Sequence, residues 1–318
     1  KERMYSLDGG KLEGGVGFMI EIKGVSKKFG NIQALSDIHA TIQEGEVFGL
    51  IGSNGAGKST LFRILSGILR QDEGEILVDG QAVYENAGGK SLICFLADGS
   101  YFLPNTTPWS MGEHYAMFYP KFDKAKYEKN LKEFGIDKNR KMNTFSKGMK
   151  KQVSILLGIH SNTKYLFCDE TFDGLDPVMR QAVKSLFISE MMKRPFTPVI
   201  ASHNLRELED ICEHVGLLHK GGILFTKDLD EMKLNLHKVQ CVFQNPVSEE
   251  EALKNLDILK HEKRGSLLTL VTRGRREKVM QIIQEENPLF AEVLPLTLEE
   301  IFISETEVAG YDIKDFIF

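Results

Sequence analysis

The clearest chemical signal in the sequence is a glycine-rich stretch between an apolar run and a helix-forming segment. It reads Gly52-Ser53-Asn54-Gly55-Ala56-Gly57-Lys58-Ser59-Thr60 and has the spacing G-x-x-x-x-G-K-S. Glycine permits backbone conformations in which several N–H groups converge on one anion, and the start of the following helix adds a positive dipole. Lys58 is expected to reach the β- and γ-phosphates, and the Ser59 hydroxyl to hold Mg²⁺. The spacing therefore predicts a site for a nucleoside triphosphate.

A pair of carboxylates, Asp169-Glu170, follows the apolar run at residues 165–168. An Asp at the end of such a strand completes the Mg²⁺ shell together with the loop hydroxyl, here that of Ser59. Glu170 is placed to accept a proton from an attacking water molecule. The alternative interpretation is a pair of solvated acids at a strand end. The strand and its carboxylates favour a hydrolytic site over that alternative.

Residues 145–149 read Phe-Ser-Lys-Gly-Met at the start of a predicted helix. Ser146 and Gly148 offer a hydroxyl and backbone N–H groups to an anion. A Ser at this position is also an ordinary helix N-cap. Taken alone, the segment favours the capping interpretation.

Length and composition restrict the class of protein. The chain has 318 residues, enough for about two domains. Its 40 basic and 45 acidic residues give a formal net charge of −5, which argues weakly against a nucleic-acid partner. Four scattered cysteines without a C-x-x-C pair indicate reduced, structural thiols rather than zinc ligands or disulfides. No run approaches the ~18 apolar residues of a membrane span, so a role at a membrane needs a partner protein.

The elements that must position these residues alternate between strands and helices. Residues 20–25 and 34–42 alternate apolar and polar side chains, which predicts a small antiparallel sheet. Apolar strands are predicted before the glycine-rich loop, before residue 98, before Asp169 and before residue 203. Helices separate these strands. The alternation predicts an α/β fold with a parallel sheet and helices on both of its faces.

Changes in composition predict the domain boundaries. Residues 1–18 are rich in glycine, lack the apolar core of a secretion signal and are expected to form a disordered or cloning-derived tail. Residues 19–227 are expected to form the nucleotide-binding domain, with a helical subdomain at about 98–160. Residues 228–318 carry no chemical motif and are expected to form a small α+β accessory or regulatory domain. Within it, residues 295–303 look like a docking segment.

These segments together resemble the ABC-family ATPases, the nucleotide-binding subunits of ATP-binding-cassette transporters. The resemblance covers about residues 19–227, and the motifs follow the family's order. Residues 52–60 are similar to the Walker A motif, and residues 165–170 to the Walker B motif with its catalytic Glu. Residues 145–149 are similar to the signature motif. Order and spacing together are far more specific than any one of these motifs.

The resemblance implies roles for three further residues and for two small molecules. Asp176 corresponds to the D-loop, His203 to the switch histidine, and Phe29 to an aromatic that stacks on adenine. The implied nucleotide is ATP and the implied metal is Mg²⁺. The implied fold is a P-loop core with an antiparallel β subdomain and a helical subdomain.

The sequence departs from the family pattern in two places. Lys147 and Met149 replace the usual Gly and Gln of the signature L-S-G-G-Q, whereas Ser146 and Gly148 are kept. This variant resembles bacterial exporters of the antibiotic- and peptide-resistance type. Asp98 stands where the family has the Gln of the Q-loop, so it is either a ligand of the Mg²⁺ shell through water or a loop-capping residue.

The mechanism implied by the resemblance uses two ATPase subunits arranged head to tail. Ser146, Lys147, Gly148 and Met149 would then serve the ATP of a partner, which makes the chain half of a homodimer or a heterodimer. Glu170 would activate water, His203 would hold the γ-phosphate, and Lys58 would neutralise developing charge. The dimer would drive a separate transmembrane permease, so the chain is expected in the cytoplasm, at the inner face of the cell membrane.

Two other functions remain open at this point. A soluble ABC ATPase acting on the ribosome or on nucleic acid usually carries two cassettes, long coiled coils or basic surfaces, and this sequence shows none of these. A small-molecule kinase on a phosphate-loop fold would leave the signature segment and His203 without a function. Export of a peptide, antibiotic or lipid-like substrate is therefore the leading hypothesis.

Overall fold

The computed structural model describes residues 19–99 and 101–308, so the predicted tail at 1–18 lies outside the described residues. The first part of the chain, residues 19–96, contributes strands to two different sheets and contains two short helices. The elements are β1 (Met19–Phe29), β2 (Ile32–Gln43), β3 (Phe48–Ile51), α1 (Lys58–Leu65), β4 (Glu73–Val78), β5 (Gln81–Ala82), α2 (Ala87–Ser91) and β6 (Ile93–Leu96).

The predicted antiparallel sheet is present, with the strand order β2-β1-β4-β5. Ile20 and Ile22 on β1 are buried, whereas the intervening Glu21 is only half-buried. This alternation follows from the two-residue period of a strand, which turns every second side chain toward the same face. The buried face packs in one apolar cluster with Leu61 and Phe62 of α1, so this sheet supports the helix that follows the glycine-rich loop.

A helical layer follows at residues 108–160, inside the predicted helical subdomain. Its helices are α3 (Pro108–Phe118), α4 (Lys124–Glu133) and α5 (Lys147–His160). Tyr127 is fully buried, and its hydroxyl donates to the Pro108 carbonyl at 2.9 Å. Leu131 and Val153 pack in the same apolar cluster, so this layer has a core of its own.

A six-stranded sheet forms the centre of the chain. The further elements are β7 (Tyr165–Asp169), α6 (Pro177–Met191), β8 (Thr197–Ser202), α7 (Leu205–Glu209), β9 (His214–His219) and β10 (Gly222–Asp228). The strand order is β10-β9-β3-β8-β7-β6, and every neighbouring pair is parallel except β10 with β9. All residues of β7 and β8 are buried, as expected for parallel strands with both faces covered. The predicted α/β core is therefore confirmed.

The last part of the chain forms a third, antiparallel sheet. Its elements are α8 (Leu229–Asn235), β11 (Leu236–Val242), α9 (Pro246–Asn255), β12 (Asp257–Arg264), β13 (Leu267–Arg273), α10 (Arg276–Glu285), β14 (Phe290–Leu294) and α11 (Leu298–Val308). The strand order is β12-β13-β11-β14. From β11 to β14 the elements follow the βαββαβ order of ferredoxin-like units. Val239, Leu270 and Ile283 are fully buried in an apolar cluster of this part of the chain.

The ends of this last part return to the central core. Leu229, Leu298 and Ile301 belong to the same apolar cluster as Leu208 on α7 and the strands of the central sheet. The segment predicted to dock, residues 295–303, lies largely in α11. The domain boundary at residue 228 stays a prediction.

The structure differs from the sequence-based expectation in several elements. The sequence pattern predicts a helix over residues 205–214, but α7 ends at Glu209. The Glu213 and His214 amides donate to the Val47 carbonyl, and these bonds direct the chain into β9. β12 was not predicted, because only two of its side chains, Ile258 and Leu259, are apolar. The sequence reading also missed α8 and β14.

We expect the docking of α11 to contribute measurably to stability. Replacing the fully buried Ile301 with Ala should lower the free energy of unfolding by about 2–5 kcal/mol, because the change removes buried carbon atoms and leaves a cavity. Leu289→Ala is the matched control, since the Leu289 side chain is 68 % exposed. Urea unfolding followed by circular dichroism compares the two variants. Equal transition midpoints would contradict the packing of α11 on the core.

Candidate active site

The glycine-rich loop at residues 52–57 turns the chain sharply from β3 into α1. Gly57 precedes α1 with a φ of 110°, a conformation that side chains disfavour. A Cβ at Gly57 would lie 2.6 Å from the Ala34 carbonyl oxygen, and one at Gly52 would lie 2.6 Å from the Leu218 carbonyl oxygen. The loop therefore requires glycine at both positions that the motif specifies.

The other residues of the stretch differ in exposure. Asn54 and Gly55 are exposed at the tip, and Ala56 is buried beneath it. Ser59 and Thr60 are half-buried in the first turn of α1. The loop thus presents its tip and the start of the helix on one side.

Lys58 is almost completely buried, with 5 % of its side chain exposed. Its ammonium donates to the carbonyl oxygens of Gly52 at 2.7 Å and Ser53 at 3.2 Å. It also lies 3.1 Å from Oε1 of Glu170. The structure therefore brings together two of the predicted catalytic residues, which are far apart in the sequence.

The second carboxylate oxygen of Glu170 contacts the third predicted catalytic residue, His203. Oε2 lies 2.8 Å from His203 Nδ1, and the Glu170 side chain is 14 % exposed. Glu170 follows β7 with a φ of 49°, and its amide donates to the Ala201 carbonyl at 2.9 Å. The Glu170 carboxylate therefore lies between an ammonium and an imidazole at the edge of the sheet.

Ser202 and Glu207, which the sequence did not single out, hold the turn that carries His203. The Ser202 hydroxyl donates to Glu207 Oε2 at 3.0 Å, and the Asn204 side-chain amide donates to Glu207 Oε1 at 3.3 Å. Glu207 is 2 % exposed, and its pKa is raised because burial disfavours the charged form. Little in the sequence indicates that Glu207 holds this turn. Glu207 follows the helix cap Asn204 by three residues, so it looks like part of an ordinary capping box.

Asp169 is 2 % exposed, and its Oδ1 has no hydrogen-bond partner among the described residues. Burial raises the pKa of this carboxyl, and the Ser59 hydroxyl beside it lowers the pKa in part. An unsatisfied buried carboxylate oxygen next to a hydroxyl fits Mg²⁺, which prefers hard oxygen ligands. Residues 19–99 and 101–308 contain no group of three or more His, Cys, Asp or Glu that could hold a metal ion. The four cysteines are buried and form no disulfide with one another.

Asp98 follows β6, and its side chain is 64 % exposed. Its Oδ1 lies 3.8 Å from the ammonium of Lys151 on α5. Lys151 is a third residue that the sequence did not single out, and it donates to the Glu170 carbonyl at 2.7 Å. In the sequence it is one lysine among several at the start of a helix.

The signature residues start α5. Ser146 caps the helix by accepting from the Met149 amide at 3.2 Å, and Lys147 is exposed. A Cβ at Gly148 would lie 3.5 Å from the carbonyl oxygen of Gly174, in the turn before Asp176. Asp176 in turn caps α6. In the described part of the chain, no hydrogen bond or ion pair connects residues 146–149 with residues 52–60.

Phe29 ends β1 and is 45 % exposed. The ammonium of Lys27 lies 5.6 Å from the centre of its ring. Its exposure leaves a ring face accessible, as stacking on a base requires.

We expect Gly57→Ala to weaken nucleotide binding by at least about tenfold, because backbone strain in this region costs 1–3 kcal/mol and the Ala34 carbonyl leaves no room for Cβ. Gly45→Ala is the control, since Gly45 also has a positive φ of 81° but has no atom within 4 Å of the added Cβ. Titration with a fluorescent ATP analogue measures both affinities. Equal affinities for the two variants would contradict the assigned role of the loop.

Comparison with known proteins identifies the family. Residues 35–173 match the family model described as "ABC transporter". The "ABC transporter ATP-binding protein YtrB" of Bacillus subtilis is 31 % identical over 287 residues, which cover 90 % of this chain and 98 % of that protein. The "Methionine import ATP-binding protein MetN" of Clostridium acetobutylicum is 31 % identical, with 80 % and 84 % covered. The "Lipopolysaccharide export system ATP-binding protein LptB" of Haemophilus influenzae is 27 % identical, with 71 % and 96 % covered.

Solved structures agree with these relatives. The structure of an ATP-binding subunit of an ABC transporter is 26 % identical and aligns with a TM-score of 0.61 over 68 % of this chain and 92 % of that one. The dimeric structure of an ATP-binding cassette in a post-hydrolysis state, bound to ADP and Pi, shares the fold with a TM-score of 0.59 at 22 % identity, over 66 % of this chain and 98 % of that one. No helix in the described part of the chain has both the length and the apolar composition to cross a membrane. Motif geometry, full-length likeness and fold agree that this chain belongs to the ABC transporter family, as an ATP-binding subunit that hydrolyses ATP.

Proposed function

We propose that this chain is the motor subunit of an exporter, in which two ATPase subunits close around ATP and drive a separate membrane permease. The observation that carries the proposal is the position of the Glu170 carboxylate, 3.1 Å from the Lys58 ammonium and 2.8 Å from His203 Nδ1. These are the groups needed to activate water beside a bound phosphate. A small-molecule kinase on the same fold would leave His203 and the signature segment unexplained.

Each residue has a distinct task in this mechanism. Glu170 accepts a proton from the attacking water, and His203 orients that carboxylate and contacts the γ-phosphate. Lys58 balances negative charge on the phosphates, which is worth more in this buried setting than in water. The backbone N–H groups of residues 52–57 and the N-terminus of α1 bind the phosphates.

Mg²⁺ is the metal that we infer for this site. Ser59 and Asp169 would hold it, and it would supply charge neutralisation between the phosphate oxygens. The buried, unpartnered Oδ1 of Asp169 supports this role. Asp98 is exposed, and its Oδ1 lies 3.8 Å from the Lys151 ammonium. We therefore propose that it is a loop-capping residue rather than a ligand of the Mg²⁺ shell through water.

The signature residues support a composite site. Ser146 and Gly148 stand at the start of α5, and neither bonds to the chain's own phosphate loop within the described residues. The start of a helix with an exposed Ser and Lys is suited to the γ-phosphate of a partner's ATP. A second ATPase subunit, identical or related, would complete each site.

The direction of transport rests on the signature variant with Lys147 and Met149. MetN is named for import and LptB for export, so likeness to relatives does not choose between the two directions. We propose export of a peptide, antibiotic or lipid-like substrate, with the chain attached to the cytoplasmic face of the membrane through the permease.

Glu170→Gln tests the active-site assignment. We expect ATP turnover to fall by about 10²–10⁴-fold, because the amide cannot take the proton. ATP should still bind, and the variant should accumulate as an ATP-bound dimer that light scattering detects. Release of phosphate at the wild-type rate would show that another group is the base.

Purification from membranes tests the partner and the direction. We expect the chain to co-purify with a multi-span membrane protein. Cells that produce only the Glu170→Gln chain should lose resistance to a cationic peptide antibiotic. A chain that purifies without a membrane protein and whose ATP turnover is stimulated by RNA or DNA would contradict the proposal.

A further inference from the structure

We propose that Lys151 is a positioning residue, which holds the Glu170 peptide in its working geometry and connects it to the start of the signature helix. The inference rests on the proposed function of Glu170 as the general base. Lys151 itself touches neither the phosphate loop nor His203, so its influence on turnover passes through the backbone of Glu170.

Lys151 lies at the meeting point of three segments. Its side chain is 12 % exposed, and its ammonium donates to the Glu170 carbonyl oxygen at 2.7 Å. The same ammonium lies 3.8 Å from Asp98 Oδ1 and 3.8 Å from Asp173 Oδ2. A buried ammonium requires oxygen partners for its donors, and the closest of these partners is the backbone of the catalytic glutamate.

Glu170 needs such an anchor because its backbone is in a disfavoured conformation. Its φ of 49° lies in the left-handed region, which a side chain adopts at a cost. Its amide donates to the Ala201 carbonyl at 2.9 Å, and its carbonyl accepts from Lys151. The backbone amide and the backbone carbonyl of Glu170 are thus each held by a hydrogen bond to a different segment. Because the direction of the Cα–Cβ bond follows from the backbone, these two bonds aim the carboxylate at Lys58 and His203.

The position of Lys151 on α5 also connects the Glu170 peptide to the signature residues at the start of that helix. It lies just over one helical turn after Ser146, the cap of this helix. An α-helix moves as a rigid unit over one turn, so a displacement of its start by a partner's ATP reaches the Glu170 peptide through Lys151. Asp98 and Asp173 are 64 % and 53 % exposed, so water screens their attraction, and we assign them the smaller part of the effect.

The test compares ATP turnover by the full chain and its Lys151→Met variant, which keeps the length of the stem and removes the donor. We expect kcat to fall by about 10- to 100-fold, because a small misplacement of a catalytic group has an effect of this size. The KM for ATP should change by less than about threefold, because the phosphate loop is intact. Lys151→Arg should recover most of the turnover.

Controls separate positioning from folding. Lys150→Met removes the neighbouring lysine, which has no ion pair with any described residue, and should retain turnover within about twofold. Thermal unfolding is measured for every variant. If Lys151→Met does not fold, Lys151→Gln replaces it, since Gln keeps a donor but no charge, and turnover between that of the wild type and Glu170→Gln is expected.

A double variant tells the two proposals apart. Lys151→Met in the Glu170→Gln background should leave the ATP-bound dimer intact, because Lys151 acts through a carboxylate that is already absent. Loss of that dimer would overturn the positioning role and assign Lys151 to the signature contact. Wild-type turnover by a folded Lys151→Met or Lys151→Gln variant would also overturn the role, even where Glu170→Gln is inactive. If Glu170→Gln alone keeps its turnover, the proposed function fails instead.

Discussion

The contact of the Glu170 carboxylate with Lys58 and His203 is the interaction on which the rest of the site depends. Lys58 and Glu170 are 5 % and 14 % exposed, and burying either charge without the other would be strongly unfavourable. The pair can form only where the ends of β3 and β7 lie at the same edge of the sheet. β8 lies between these two strands and carries His203 beyond its own end. The strand order of the central sheet is therefore a condition for the chemistry.

The antiparallel sheet and the helical layer support the edge of the central sheet that carries Lys58, Glu170 and His203. The antiparallel sheet packs against α1 and supports the helix that begins at Lys58. The helical layer presents α5, whose start carries Ser146 and whose next turn carries Lys151. Lys151 donates to the Glu170 carbonyl, so the surface proposed to meet a partner's ATP is bonded to the backbone of the proposed base. One packed helix can thereby link the nucleotide of a partner to hydrolysis in this chain.

The last part of the chain is joined to the core by apolar packing. It has a sheet and an apolar cluster of its own, yet Leu229 and Ile301 enter the cluster of the central sheet. α11 packs close to α7, which follows the turn of His203. This gives residues 228–308 a direct mechanical connection to the active-site edge.

The sequence by itself determined the glycine-rich loop and the fold class. The spacing of Gly52, Gly57 and Lys58 was sufficient to predict the loop, because only glycine tolerates the positive φ of Gly57 and the close approach of carbonyl oxygens at both glycines. The alternation of apolar strands with helices was sufficient for the parallel sheet. Elements with little apolar pattern, such as the charged edge strand β12, were missed because period alone carries no signal for them.

Only the tertiary structure decided which of these residues meet. Glu170 and Lys58 are more than 100 positions apart, and nothing in their local sequence specifies the distance between them. The structure also revealed Ser202, Glu207 and Lys151, whose roles follow from burial and from hydrogen bonds to distant segments. In the sequence they are an ordinary serine, glutamate and lysine. Residue types and spacing constrain the backbone near each motif, whereas strand order and packing set the contacts between motifs.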